Sequence, residues 1–116
     1  MLNTDSFIQT LLQCAKHCDE CASACLEEKN VAHLRDCIKY DLICADYCRT
    51  VAKMVQYQSP HLLAAVQLCT SVCATCKEEC EKHDHVHCKT CAIVCLECEK
   101  LCNEWLTIEA EGHMAT

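Results

Sequence analysis

The spacing of the cysteines is the feature that most constrains how this chain can fold. The 116-residue sequence contains 16 cysteines, most of them separated by alternating steps of three and four residues. Side chains that repeat at this interval lie on one face of an α-helix, because the helix has about 3.6 residues per turn. The spacing therefore predicts several helices, each with a stripe of cysteines that faces a common core.

The cysteines form four stripes along the chain. The first and third stripes share the pattern Cys-x3-Cys-x2-Cys-x3-Cys, which indicates a duplicated helical hairpin, and Asp41 stands where a cysteine would complete the second stripe. The stripes are Cys14, Cys18, Cys21 and Cys25; Cys37, Cys44 and Cys48; Cys69, Cys73, Cys76 and Cys80; and Cys88, Cys91, Cys95, Cys98 and Cys102.

Short polar breaks separate the stripes. Glycine and proline occur once each, which disfavours a β-sandwich or barrel. We predict a single domain over residues 1–116, an all-α, antiparallel up-down-up-down four-helix bundle with a cysteine-lined core. Asn30 and Ser59 are candidate N-caps, and Pro60 suits a first helical position. The predicted helices are 5–28, 31–57, 60–82 and 86–109.

The stripes also predict how the first two helices align. Antiparallel partners should have residue numbers with a constant sum, and four pairs between these helices sum to 62: Cys25 with Cys37, Cys21 with Asp41, Cys18 with Cys44, and Cys14 with Cys48. Beyond the cysteines the same faces become apolar, which predicts a plug at one end. This apolar plug consists of Phe7, Leu11, Val51, Val55, Leu62, Val66 and Trp105.

Charge and hydropathy exclude two classes of partner. The chain has 10 basic and 17 acidic residues and a formal net charge of −7, whereas nucleic-acid binding needs a basic surface. No apolar run approaches the roughly 18–20 residues that span a bilayer, and residues 1–12 lack the features of a secretory signal. We therefore expect a cytoplasmic protein without nucleic-acid or membrane partners, in which cysteines indicate metal or redox chemistry rather than disulfides.

A core lined with thiols favours soft metal ions, since thiolates select Cu(I), zinc and iron–sulfur clusters. Cu(I) carries one charge and displaces one thiol proton, so a filled core stays near neutral. A zinc site of four thiolates would instead bury two uncompensated negative charges, and the stripes contain no basic residue to balance them. The pattern therefore favours multiple Cu(I) ions per chain, with all 16 cysteines as ligands.

Four histidines lie near one end of the predicted bundle. His33 starts the second helix, and His83, His85 and His87 surround the link between the third and fourth helices. The first and third loops of an up-down bundle lie at the same end, so these side chains should form one opening, the histidine mouth. We predict that His33, His83, His85 and His87 are transient ligands for incoming copper, with Asp41 one layer inside.

The sequence resembles the bacterial copper storage proteins, four-helix bundles whose cores are filled with cysteine-bound Cu(I). The matching features are the two Cys-x3-Cys-x2-Cys-x3-Cys helices, the cysteine-rich fourth helix and the His-Asp-His-Val-His-Cys stretch at residues 83–88. The resemblance covers about residues 5–105, and the absence of an export signal is typical of the cytosolic branch. It implies a non-catalytic protein that stores and detoxifies Cu(I).

The resemblance also implies a homotetramer, because members of the family are tetramers of bundles. Tyr40, Ile43, Tyr47 and Met54 agree with this expectation, since they widen the apolar arc of the second helix beyond its cysteine stripe. We expect a copper chaperone or a small-molecule thiol to deliver the copper.

Other functions have weaker support. A general soft-metal buffer for zinc or cadmium, similar to a metallothionein, would use the same ligands. An iron–sulfur protein is disfavoured because the Cys-x2-Cys-x2-Cys-x3-Cys-Pro run is absent. A di-iron bundle enzyme would need inward-facing Glu-x-x-His pairs, which the sequence lacks. A thiol oxidoreductase needs one activated cysteine rather than sixteen similar ones.

Overall fold

The computed structural model describes residues 3–115, with side chains placed for residues 3–111. Within that range the chain forms four α-helices, and no strand is present among the described residues. The helices are α1 (Thr4–Leu26), α2 (Arg35–Gln56), α3 (Leu62–Glu81) and α4 (Val86–Ala115), and a short 3₁₀ helix (Val31–Leu34) precedes α2. None of the helices in this part of the chain has the length and apolar character needed to cross a bilayer.

The four helices pack around a square. Helix α1 lies beside α2 and α4, and helix α3 lies beside the same two neighbours. The backbones of the diagonal pairs stay apart within the described range, but their side chains meet across the core. The molecule measures 55 × 22 × 20 Å, as expected for rods of about 20–30 residues at ~1.5 Å per residue. The predicted up-down-up-down four-helix bundle is confirmed.

The ends of the first two helices differ from the predicted 5–28 and 31–57. Helix α1 ends at Leu26, because the next two N–H groups bond to carbonyls three residues earlier and close the last turn tightly. The α-helical part of the second segment begins only at Arg35. Before it, the His33 N–H donates to the backbone carbonyl of Asn30, and the Asn30 side chain makes no cap hydrogen bond. Asn30 therefore starts a 3₁₀ turn instead of capping an α-helix.

The third and fourth helices also depart from the predicted 60–82 and 86–109. Helix α3 begins at Leu62, because Ser59 accepts from the His61 N–H with its hydroxyl and from the Leu62 N–H with its carbonyl, which makes residues 59–61 a turn. Helix α4 begins at Val86 as predicted but continues to Ala115. Its single glycine does not stop it, since a glycine inside a helix costs only about 1 kcal/mol relative to alanine.

The interior has an apolar end and a sulfur-lined remainder. In the plug, Phe7, Leu11, Val51, Val55 and Val66 are buried, while Leu62 and Trp105 are partly buried. The rings of Phe7 and Trp105 stack with centroids 6.2 Å apart. All 16 cysteines are buried and free. Asp41 is the only buried charged side chain among the residues described, so the core holds no cation.

The apolar arc of α2 faces two directions. Tyr40, Tyr47 and Met54 are partly buried and pack against the bundle's own core, and the Tyr47 hydroxyl donates to the Ala65 carbonyl on α3 at 3.0 Å. The apolar arc of α2 therefore also covers the groove to α3. Ile43 does face outward and is 57% exposed.

Candidate metal centre

Thiol groups from all four helices meet along the bundle axis. The Sγ atoms of neighbouring helices lie 3.5–3.9 Å apart, and Cys37 on α2 lies 4.0 Å from Cys88 on the diagonal helix α4. Cys18 on α1, for example, lies 3.7 Å from both Cys91 and Cys95 on α4. These separations are short enough for one ion to contact sulfurs from two helices, since a metal–sulfur bond is about 2.3 Å long in zinc sites.

Sets of four donor atoms, all within 4.8 Å of one another, recur along the core. They include Cys14, Cys44, Cys48 and Cys73; Cys14, Cys18, Cys44 and Cys95; Cys18, Cys76, Cys91 and Cys95; and Cys48, Cys69, Cys73 and Cys98. The sets overlap, because Cys14, Cys18 and Cys73 each belong to more than one. The arrangement suits thiolates that bridge several ions better than isolated four-thiolate sites.

The predicted alignment of α1 with α2 is confirmed where these sets test it. Cys14 shares a set with Cys48, and Cys18 shares a set with Cys44, so both predicted pairs lie within 4.8 Å. The constant-sum rule works here because the two helices are antiparallel and joined by a short connection.

Asp41 lies within the sulfur core and accepts hydrogen bonds from thiols on three helices. One carboxylate oxygen, Oδ1, accepts from Cys76 at 3.2 Å, from Cys91 at 3.3 Å and from Cys80 at 3.5 Å. The other oxygen accepts from Cys37 at 3.9 Å. The carboxyl group is fully buried, and its hydrogen-bond partners among the described residues are all thiols. The structure thus places Asp41 among the predicted ligands, as its position in the second stripe indicated.

Burial favours the protonated forms of Cys25, Cys88 and Asp41. Removal from water is the main cause that raises the pKa of Cys88 to about 11, and it also raises the pKa of Cys25. Burial, followed by the charge of Cys91, raises the pKa of Asp41 to about 9. An ion that binds Cys25, Cys88 or Asp41 must therefore displace protons from them.

His87 is the mouth histidine that faces the sulfur core. Its Nδ1 atom lies 3.6 Å from Cys88 Sγ, 3.7 Å from Cys21 Sγ and 3.8 Å from Cys25 Sγ. These four residues form a further set of donors within 4.8 Å of one another. The outermost candidate site therefore combines one imidazole with three thiols.

The other mouth histidines have different surroundings. His83 Nε2 lies 2.9 Å from Glu79, and His85 Nδ1 lies 2.6 Å from Glu28. His33 is exposed on the 3₁₀ helix. The prediction from the sequence gave all four mouth histidines the same role, and it identified neither Glu28 nor Glu79. Glu79 precedes His83 by four residues, a helical pairing distance that was available as a signal; Glu28 lies in a polar break that carries no periodic signal.

Comparison with known sequences assigns the chain to a family of metal-binding bundles. The sequence model described as copper storage protein (Csp) matches residues 2–107. A Bacillus subtilis (strain 168) protein, the uncharacterized cysteine-rich protein YhjQ, is 39% identical over 99 residues, which cover 85% of this chain and 92% of that protein. This chain belongs to the copper storage protein family.

Two solved structures share the fold. The Cu(I)-bound copper storage protein BsCsp3 has a TM-score of 0.83 and 39% sequence identity, with 87% of this chain and 95% of that chain covered. A cytosolic copper storage protein from Streptomyces lividans with five coppers has a TM-score of 0.86 and 40% identity, with 90% and 92% covered. Both relatives carry copper, so the zinc or cadmium buffer gains no support from them.

Proposed function

We propose that this protein stores and detoxifies copper by holding multiple Cu(I) ions in its core. The observation that carries the proposal is the series of overlapping four-donor sets, in which buried cysteines are shared between neighbouring sets. Shared thiolates with low coordination numbers suit a soft monovalent ion. The ligands in this proposal are the 16 cysteines, together with Asp41 and the mouth histidines His33, His83, His85 and His87.

Charge balance supports Cu(I) over zinc within this core. Each Cu(I) ion that replaces one thiol proton leaves the charge of the core unchanged. Each zinc ion bound by four thiolates adds two negative charges, and the described part of the chain offers no buried Lys or Arg to offset them. Burying uncompensated charge is costly, so successive zinc sites would become progressively less favourable along the core.

Copper reaches the core at the histidine mouth in this proposal. The His87 side chain reaches both solvent and the sulfur core. It is 25% exposed, and its Nδ1 atom lies within 3.8 Å of three cysteine sulfurs. At the other end, the stacked rings of Phe7 and Trp105 and the buried Leu11 offer an ion no polar ligand. A path lined with ligands therefore leads into the core from the histidine mouth and not from the plug end.

The protein acts as a non-catalytic store in the cytosol, as the Streptomyces lividans relative is a cytosolic copper storage protein. A copper chaperone or a small-molecule thiol delivers the ion, because free Cu(I) binds thiolates strongly. No step of this function requires bond cleavage by the protein.

The protein assembles as a homotetramer in this proposal, through the exposed face between α2 and α3. Ile43 and Leu68 are 57% and 54% exposed, and with Tyr40 and Val72 they line an open groove of about 290 Å³. Sedimentation equilibrium tests this: the wild-type protein should sediment as four chains, and Ile43→Glu should sediment as smaller species. The control Ile93→Glu, at a site 60% exposed on α4, should remain tetrameric.

Anaerobic titration of the reduced protein with Cu(I), against a competing chelator, tests the storage function. The expected capacity is on the order of one Cu(I) per cysteine, because thiolates are shared. Saturation at about four ions would instead indicate separate tetrahedral sites of four thiolates each. Equal retention of zinc under the same competition would contradict selective copper storage.

A further inference from the structure

Glu28 contacts two of the mouth histidines at once. It lies just beyond the end of α1, and its Oε2 atom is 2.6 Å from His85 Nδ1 and 3.7 Å from His87 Nε2. The imidazole rings of His85 and His87 are stacked nearly parallel, with centroids 5.1 Å apart and an interplanar angle of 6°. One carboxylate from the connection after α1 therefore contacts two stacked rings, one just before and one just inside the start of α4.

The two ring nitrogens of His87 face different environments. Nδ1 faces Cys21, Cys25 and Cys88 at 3.6–3.8 Å. Nε2 is buried and has no hydrogen-bond partner among the described residues, and the carboxylate oxygen of Glu28 lies 3.7 Å from it. This contact is longer than a hydrogen bond, and it makes Glu28 the acceptor that lies beside Nε2.

A neutral imidazole carries its single proton on one nitrogen, and the hydrogen bond made by one nitrogen decides whether the other is free. A carboxylate beside Nε2 favours the proton there and leaves the lone pair of Nδ1 directed at the three sulfurs. In metal-binding histidines, the N–H of the second ring nitrogen commonly donates to a carboxylate, which fixes both tautomer and ring orientation.

We propose that Glu28 is a positioning residue that holds His87 in its Nε2–H tautomer, so that Nδ1 and the thiols of Cys21, Cys25 and Cys88 form a preorganised outermost Cu(I) site. His85 supports this arrangement through its contact with Glu28 and its stacking on His87. The proposal rests on the proposed copper function for the identity of the ion, whereas the tautomer of His87 is a property of the metal-free protein.

The pair formed by His83 and Glu79 differs from this arrangement. Its two partners lie on and just after α3, four residues apart, with 2.9 Å between His83 Nε2 and Glu79 Oε2. No hydrogen-bond contact joins His83 to a cysteine within the described side chains. A carboxylate beside a histidine therefore occurs twice at the mouth, but only Glu28 lies beside the ring that also faces sulfur.

Nuclear magnetic resonance of the reduced, metal-free protein, with ¹⁵N-labelled histidine at about pH 8, where an ordinary imidazole is neutral, tests the tautomer directly. Wild-type His87 should carry its proton on Nε2. Glu28→Ala should give a mixture of both tautomers, and Glu28→Gln, which keeps an acceptor oxygen there, should restore the Nε2–H form. The matched control Glu27→Ala removes the same charge one residue away, at an exposed position, and should leave the tautomer unchanged.

Cu(I) competition measures the consequence for the site. Glu28→Ala should weaken binding of the first copper equivalent by about 10-fold, the lower end of the range for removal of such a supporting carboxylate, while total capacity and helical circular dichroism stay at wild-type values. In the tautomer measurement, three results would overturn the inference: wild-type His87 carries its proton on Nδ1, Glu28→Ala keeps the wild-type tautomer, or Glu28→Gln gives the same tautomer mixture as Glu28→Ala. In the copper competition, an equal loss of affinity in Glu27→Ala would overturn it as well. A wild-type protein that bound no Cu(I) would refute the storage function, while the tautomer would still be measured.

Discussion

Asp41 occupies the one place in the second stripe where the cysteine pattern is interrupted, and its surroundings explain how a carboxyl group is accommodated there. Its oxygens accept from thiols on α2, α3 and α4, so the buried group is hydrogen-bonded rather than isolated. A buried polar group with partners costs far less free energy than one without them. The residue is therefore compatible with the core while offering a harder ligand than its neighbours.

Replacing Asp41 with cysteine should increase the copper capacity. The variant Asp41→Cys completes the stripe with a seventeenth thiol, and a soft thiolate is a better Cu(I) ligand than a carboxylate oxygen. We expect about one additional Cu(I) ion per chain in the anaerobic competition titration. The control Asp46→Cys adds a thiol on the same helix at an 89% exposed side chain and should not increase the chelator-resistant capacity. An unchanged capacity in Asp41→Cys would contradict the prediction.

Each helix contributes both to the sulfur core and to the plug, and the two parts have different physical roles. The thiols are small, so a sulfur-lined section provides less apolar volume than one lined with leucine. The plug supplies large apolar side chains at one end of the same helices, where Leu11 and Phe7 are essentially inaccessible to water. The plug is therefore the part of each helix that stabilises the metal-free bundle most per residue.

Truncation of a plug residue should destabilise the metal-free protein. Leu11 is fully buried, and Leu11→Ala should lower the free energy of unfolding by about 2–5 kcal/mol through lost burial and a residual cavity. The neighbouring residue gives a matched control: Leu12 is 46% exposed, and Leu12→Ala should change stability by no more than about 0.5 kcal/mol. Urea unfolding of the reduced proteins, followed by circular dichroism, measures both; equal losses would contradict the assignment of the plug.

Removal of the mouth imidazoles should slow copper transfer more than it lowers capacity. The triple variant in which His83, His85 and His87 become alanine loses the ring that contacts the outer thiols, while the 16 cysteines remain. Stopped-flow loading should therefore be slower at near wild-type capacity. His61→Ala removes an imidazole at the plug end and should load normally. Wild-type loading rates in the triple variant, together with faster copper exchange in Leu11→Ala, would contradict entry at the histidine mouth and indicate entry at the plug end.

At the scale of the whole molecule, the cysteines and the plug form one continuous core. The 16 cysteines are buried together with the plug, and protonated thiols pack as small hydrophobic groups. Helices of 20–30 residues form because their apolar faces meet in this core, rather than from helix propensity alone. We therefore expect metal to bind to a bundle that is already folded, unlike small zinc domains that fold only on binding.

The reduced, metal-free protein should consequently be strongly helical and unfold cooperatively. Far-ultraviolet circular dichroism should change little on copper loading, because the ions enter between helices that are already formed. Stability should nevertheless rise with copper, since a ligand that binds only the native state stabilises it. A coil-like spectrum that becomes helical only after addition of Cu(I) would contradict this expectation and indicate folding coupled to metal binding.

The sequence by itself determined the helical class, the four stripes and the chemistry of the core, because a three-four periodicity records which side chains share a helix face and cysteine restricts the metal to soft ions. It also placed Asp41 among the thiols and the apolar plug opposite the histidines. Only the tertiary structure decided that His87 faces sulfur while His85 faces a carboxylate, and that Glu28 reaches the mouth from just beyond the end of α1. Periodicity is silent there, since loop geometry and ring orientation depend on contacts between residues distant in sequence.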